Sequence, residues 1–171
     1  TVPFQVFKWD TTFSMSMKKE LIECIKNPAL LYVLINPDAL IGSKIGPVFA
    51  ILDKHRITGW IVDESTAIKN MKAQRTKRAI EYSQKAKFKR IMSGTPIVQS
   101  PLDVYSQTEF LRSGLLGFKS YYSMKTRYCE MRRKTFGFRS FDEITGYRDL
   151  DDLRRRLDKF SSFVKLEDCV D

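Results

Sequence analysis

Short apolar runs alternate along the chain with longer stretches whose apolar residues recur every three or four positions. That alternation predicts strands interleaved with helices, and so an α/β fold with a mostly parallel sheet flanked by helices. Phe4-Gln5-Val6-Phe7 has the period of a strand. Met17, Leu21 and Ile25 share one side of a helix over 17–26. Leu30 to Ile35 and Gly59 to Val62 are continuous apolar runs, as expected of strands buried on both faces. Asn36-Pro37 ends the first, and Pro47 opens a helix reaching about His55. Residues 73–86 read as a helix with one basic side, 88–92 as another strand, and 101–111 as a helix with Leu102, Tyr105 and Phe110 inward. The segment 115–137 is aromatic and basic and reads as partly helical. A last amphipathic helix spans 149–160, with Leu150, Leu153 and Leu157 on one side.

Composition narrows this picture. The 171 residues suffice for one domain with a core, and 43% hydrophobic with 29% charged residues is a globular balance. No apolar run nears the roughly 20 residues of a membrane-spanning helix, so no membrane partner is expected. The start, Thr1-Val2-Pro3-Phe4, has neither signal-peptide pattern nor initiator Met, which suggests a fragment or processed product. A net charge of +10 points to a polyanionic partner, nucleic acid above all. Cys24, Cys129 and Cys169 are odd in number and far apart, which argues against a disulfide framework or zinc site and for a reducing compartment. The single histidine, His55, sits where a cation suits a helix end.

Two segments carry candidate chemistry. Ile61-Val62-Asp63-Glu64 is an apolar strand ending in two adjacent carboxylates, at the sheet edge where open α/β sheets bind ligands. One acid can hold a magnesium ion through water, and the other can orient and deprotonate an attacking water. Ser93-Gly94-Thr95-Pro96-Ile97 closes the next strand with small hydroxyl residues and a glycine, which permit close approach to a neighbouring loop. Each alone is commonplace.

In this order and at this distance they resemble the motifs of Swi/Snf-type helicase-like ATPases of helicase superfamily two. Asp63-Glu64-Ser65-Thr66-Ala67-Ile68-Lys69-Asn70 resembles motif II, and Ser93 to Ile97 followed by Pro101 to Gln107 resembles motif III and its helix. Leu31 to Leu40 resembles the motif Ib region. Leu115-Leu116-Gly117-Phe118, Tyr128 and Gly146 to Leu150 resemble the insertion and closing helix of bacterial and phage members.

The resemblance implies a partial RecA-like (P-loop NTPase) domain: 1–171 as the second half of the first motor domain, with motifs Ib, II and III and a helical protrusion over about 112–148. It implies that Asp63 holds the magnesium of ATP through water, that Glu64 is the general base, and that Ser93, Gly94 and Thr95 contact and sense the nucleotide. The complete protein would then be an ATP-dependent DNA translocase partnered by a second RecA-like domain. The fourth position of motif II, often histidine in the superfamily, is Thr66 here. No Gly-x-x-x-x-Gly-Lys-Ser/Thr loop occurs in the chain, so this piece is expected to bind ATP weakly and not to hydrolyse it usefully. A sheet without the strand before that loop is expected to rearrange or to associate with a second copy.

Two basic segments are candidate nucleic-acid contacts: Lys69, Lys72 and Arg75 in one, Arg132, Arg133 and Lys134 among aromatics in the other. Such contacts suit duplex DNA without sequence preference. The alternatives are a solvated helix face for the first and a local aromatic core for the second. A non-catalytic half-domain that binds nucleic acid or protein is the competing function. A carboxylate nuclease is poorly supported, since no further acid cluster accompanies Asp63 and Glu64. The expected compartment is the cytoplasm of a bacterium or phage-infected host, or the nucleus of a eukaryote.

Overall fold

A computed structural model describes residues 2–9, 14–42, 45–55 and 58–164. Strand β1 (Phe4–Lys8) pairs in parallel with β2 (Leu30–Leu34), Phe4 opposite Leu30 and Lys8 opposite Leu34. Helix α1 (Met15–Lys26) lies between them in the chain, and the Ser14 side chain caps it by accepting from the Met17 N–H. Asn36 and Pro37 turn the chain out of β2, with the Asn36 side chain accepting from Asp38 N at 2.9 Å. Helix α2 (Ile45–Lys54) carries Pro47 in its first turn, where a missing N–H costs nothing, and His55 follows its end. Strand β3 (Gly59–Val62) pairs in parallel with β4 (Phe88–Ile91), and α3 (Gln74–Ser83) connects them.

One core joins these elements. Phe7, Leu21, Val48, Phe49, Ile68, Ala79 and Phe110 are all but inaccessible. The Phe49 ring stacks on Tyr82 at 3.7 Å and on Trp60 at 5.2 Å, while Phe110 meets Trp60 edge-on at 6.3 Å. These contacts seat α2, α3 and α4 (Asp103–Leu111) against β3, the strand that runs into Asp63. A second core gathers Leu102 and Tyr105, Leu116, Met124 and Tyr128 of α5 (Tyr121–Tyr128), and Leu153 of α6 (Leu150–Leu157).

Three expectations are corrected. The parallel pairing holds, but as two separate two-stranded sheets among the described residues, not one continuous sheet. The apolar runs of β2 and β3 are not buried on both faces. Phe4, Val6, Leu30, Tyr32, Leu34, Ile61 and Phe88 are exposed, because helices cover only the other face. Finally, 112–148 is helical only over α5. Its distal part is an antiparallel hairpin of β5 (Cys129–Phe136) and β6 (Arg139–Tyr147). The reason is local. Gly137 at φ +58° supplies the first position of a two-residue turn, and its register pairs Phe136 with Arg139.

Candidate active site

Val62 is the last residue of β3, and the backbone then breaks from strand geometry. Glu64 adopts the left-handed conformation, φ 49° and ψ 62°, which costs a side-chain-bearing residue on the order of 1 kcal/mol. The turn is pinned from both sides. Met92 N donates to Val62 O at 2.9 Å, and Ser65 N donates to Met92 O at 2.9 Å. Glu64 N donates to the Asp63 carboxylate at 3.0 Å. A short 3-10 turn (Ser65–Ile68) then carries the chain inward. Asp63 and Glu64 are therefore exposed at the carboxyl end of β3, with their direction set by a backbone state that three hydrogen bonds enforce.

Loop 93–97 approaches the same edge from β4. Ser93 Oγ donates to Glu64 Oε2 at 3.4 Å and accepts from Thr95 N at 3.2 Å. Of the residues singled out in the sequence, Asp63, Glu64 and Ser93 thus come together, with Gly94 and Thr95 exposed beside them. The donor set suits magnesium: one exposed carboxylate is what that ion takes from protein when phosphates and waters fill its other positions. No cluster of three or more His, Cys, Asp or Glu gathers among the described residues, and a magnesium–nucleotide site does not require one.

Gln107 has no place among the site residues legible in the sequence, yet it joins the two motifs. It is buried in α4. Its Oε1 accepts from Ser65 Oγ at 2.5 Å, and its Nε2 donates to Pro96 O at 2.8 Å and Asp103 O at 2.9 Å. Ser106 Oγ adds a buried bond to Ile68 O at 2.7 Å. One side chain therefore holds the residue after Glu64 and the loop after Thr95 in fixed relation. The signal available in the sequence was a polar residue on a helix face otherwise facing the core.

The basic candidates fare differently. Lys72 is exposed and Lys69 half-buried at the end of the 3-10 turn. Arg75 forms an ion pair with Asp38, and Arg78 donates to the carbonyls of Leu40 at 2.6 Å and Gly42 at 2.9 Å. These two arginines fasten α3 to the loop after β2. Arg132, Arg133 and Lys134 lie on β5, remote in sequence from the acid pair. The returning strand brings acids to them: Glu143 faces Arg132, Asp142 faces Arg133, and Lys134 forms an ion pair with Glu143 at 2.6 Å.

A family model described as the SNF2-related domain matches residues 41–160. Over 94 residues the chain is 32% identical to SWI/SNF-related matrix-associated actin-dependent regulator of chromatin subfamily A-like protein 1 of Drosophila melanogaster, covering 55% of this chain and 12% of that protein. The Xenopus tropicalis protein of the same name is 29% identical over 110 residues, 64% of this chain and 11% of its own length. DNA annealing helicase and endonuclease ZRANB3 of Bos taurus is 33% identical over 97 residues, 57% of this chain and 9% of that protein. The chain spans about a tenth of the length of these relatives. The family match takes in the acid pair, loop 93–97 and the hairpin alike, and the chain belongs to the SNF2-related domain family.

Proposed function

We propose that this chain is the part of a DNA-dependent ATPase motor that holds the metal-facing and water-activating carboxylates, corresponding to the second half of a first RecA-like domain. The observation that carries the reading is the left-handed Glu64, pinned at the end of β3 with its carboxylate against Ser93 of the next loop. Asp63 would hold magnesium, which neutralises phosphate charge when bound. Glu64 would accept the proton of the attacking water, and its fixed backbone keeps that carboxylate in place. Ser93, Gly94 and Thr95 would contact the nucleotide, and Gln107 would carry changes at loop 93–97 back to the turn after Glu64.

The names of the relatives speak of chromatin and of DNA annealing, which supports DNA as the partner and a nucleus as the compartment in a eukaryote. These relatives are animal proteins and lend nothing to the bacterial and phage likeness of the sequence. The phosphate loop and a second RecA-like domain would come from outside this sequence, so the chain alone is expected to be inactive.

The test is DNA-stimulated ATP hydrolysis by a motor that joins this chain to a phosphate loop and second domain, with Glu64→Gln beside wild type and the 171-residue chain as a third sample. Stimulated turnover abolished by the substitution supports the reading. Absence of turnover in every sample, with DNA binding kept, transfers the chain to the class of non-catalytic binding domains.

A further inference from the structure

The β5–β6 hairpin has no part in the ATPase chemistry. Its base is fixed. Cys129 and Tyr128 are buried, Arg148 donates to the carbonyls of Arg127 at 3.1 Å and Thr126 at 2.8 Å, and Tyr128 Oη donates to Asp152 at 2.9 Å. From that base eight residues of β5 extend about 25 Å at the usual rise per residue. Every residue from Glu130 to Asp142 is exposed. An isolated two-stranded hairpin is marginal in water, so the buried base is what holds it.

Its tip is unlike the rest of the surface. Phe136 is 84% exposed and Phe138 fully exposed, with only Gly137 between them. Across the strands, Phe136 faces Arg139, Phe141 faces Lys134 and Glu143 faces Arg132, so these six share one side of the hairpin, with the two phenylalanines and Arg139 nearest the tip. Lower down, Asp142 and Glu143 offset Arg133 and Lys134. At the tip Arg139 is the sole charge between Thr135 and Ser140, and neither it nor Arg132 forms an ion pair among the described residues. At its tip the hairpin therefore presents apolar rings beside one cation, Arg139, that faces no acid across the strands, on a chain of net charge +10.

We propose that this tip is a stacking element for unpaired bases, and that it directs the chain to DNA with single-stranded character. This rests on nucleic acid being the partner. Exposed aromatic rings beside arginine meet both halves of a single-stranded ligand: the rings take base faces and the guanidinium takes phosphate. A duplex keeps its base faces stacked inside and offers the rings nothing comparable. An apolar groove on a protein would also take the rings, but would leave Arg139 and the net positive charge unanswered.

The experiment measures fluorescence anisotropy of the 171-residue chain with three labelled DNAs of equal length: a single strand, a duplex, and a fork with unpaired arms. Wild type is compared with Phe136→Ala/Phe138→Ala, whose fold is checked by circular dichroism. The substituted rings are exposed, so folding should be unaffected. The expected result is a tenfold or greater loss on the single strand and fork, with duplex binding within twofold of wild type. A Phe138→Trp variant adds a direct readout, its fluorescence quenched by the single strand and not by the duplex. Equal losses on all three DNAs would overturn base stacking. Unchanged binding to all three would overturn it too. Wild type that holds duplex without favouring unpaired DNA sinks the hairpin role alone. Wild type that binds no DNA removes the partner on which both readings rest.

Discussion

The turn at the end of β3 and the hairpin beyond α5 both place polar side chains close together, with opposite consequences. At the turn, Ser65 and Gln107 are buried and every polar atom of the Gln107 side chain is satisfied. Removing one partner there strands the others away from water. On the hairpin, Lys134 and Glu143 form an ion pair at a comparable distance, but water replaces either partner at little cost. Burial, and not the length of the bond, separates a fixed arrangement from an incidental one. The site side of the molecule is built to hold a geometry, and the hairpin side to offer a surface.

Substitutions can break this contrast, and the largest effect is expected at Glu64. In the assembled motor, Glu64→Gln should lower turnover by roughly 100-fold or more, the usual range for a general base, with DNA affinity unchanged. A loss confined to DNA binding would reverse the assignment.

Gln107→Leu comes next. It leaves the buried Ser65 hydroxyl without a partner and removes the bond to the Pro96 carbonyl, and should cost about 1–3 kcal/mol in urea denaturation. Adding Ser65→Ala removes one stranded group and should restore part of the loss. Additive losses in the double variant would show that the two side chains do not act together.

A titration sharpens the comparison at the hairpin base. Burial, and then the bond to Asp152, push the Tyr128 hydroxyl up to about 12. The Tyr128 and Arg156 bonds hold the Asp152 carboxyl below the usual carboxylate range. A raised phenol contributes stability that is complete below its ordinary value near 10 and is lost as pH climbs through about 12. A lowered carboxyl contributes stability that is complete above the ordinary carboxylate range and is lost as pH falls through its depressed value. Urea midpoints against pH should decline at both ends, and Tyr128→Phe should lessen the alkaline decline, to which Tyr105, Tyr121 and Cys129, also raised by burial, contribute.

The smallest effect is expected at the exposed pair. Lys134→Ala should change stability by less than about 1 kcal/mol. A larger loss would mean that the hairpin is held together from its tip and not from its base.

The two halves of this contrast were unequally legible in the sequence. Strand positions, the carboxylate pair and loop 93–97 could be read because apolar runs ending in Asp63-Glu64 and Ser93-Gly94 carry their own boundaries. That Phe4, Leu30 and Ile61 face outward could not, since an apolar run does not reveal whether both its faces are covered. The acids that offset Arg133 and Lys134 lie nine residues further on and become neighbours only once β6 folds back. Gln107 was hidden for a related reason. Its partners are a hydroxyl 42 residues earlier and a carbonyl 11 residues earlier, and only the packed helix brings them to one point.

The outward face of β1 and β2 has a consequence for how the protein behaves at different ionic strengths. Phe4, Val6, Leu30, Tyr32 and Leu34 form an apolar surface on a chain carrying +10. At low salt, like charge keeps such surfaces apart; near physiological ionic strength the screening length falls to about 8 Å and that restraint weakens. Association between copies should therefore rise with salt while DNA binding falls with it, and sedimentation beside anisotropy across one salt series would show two curves of opposite slope.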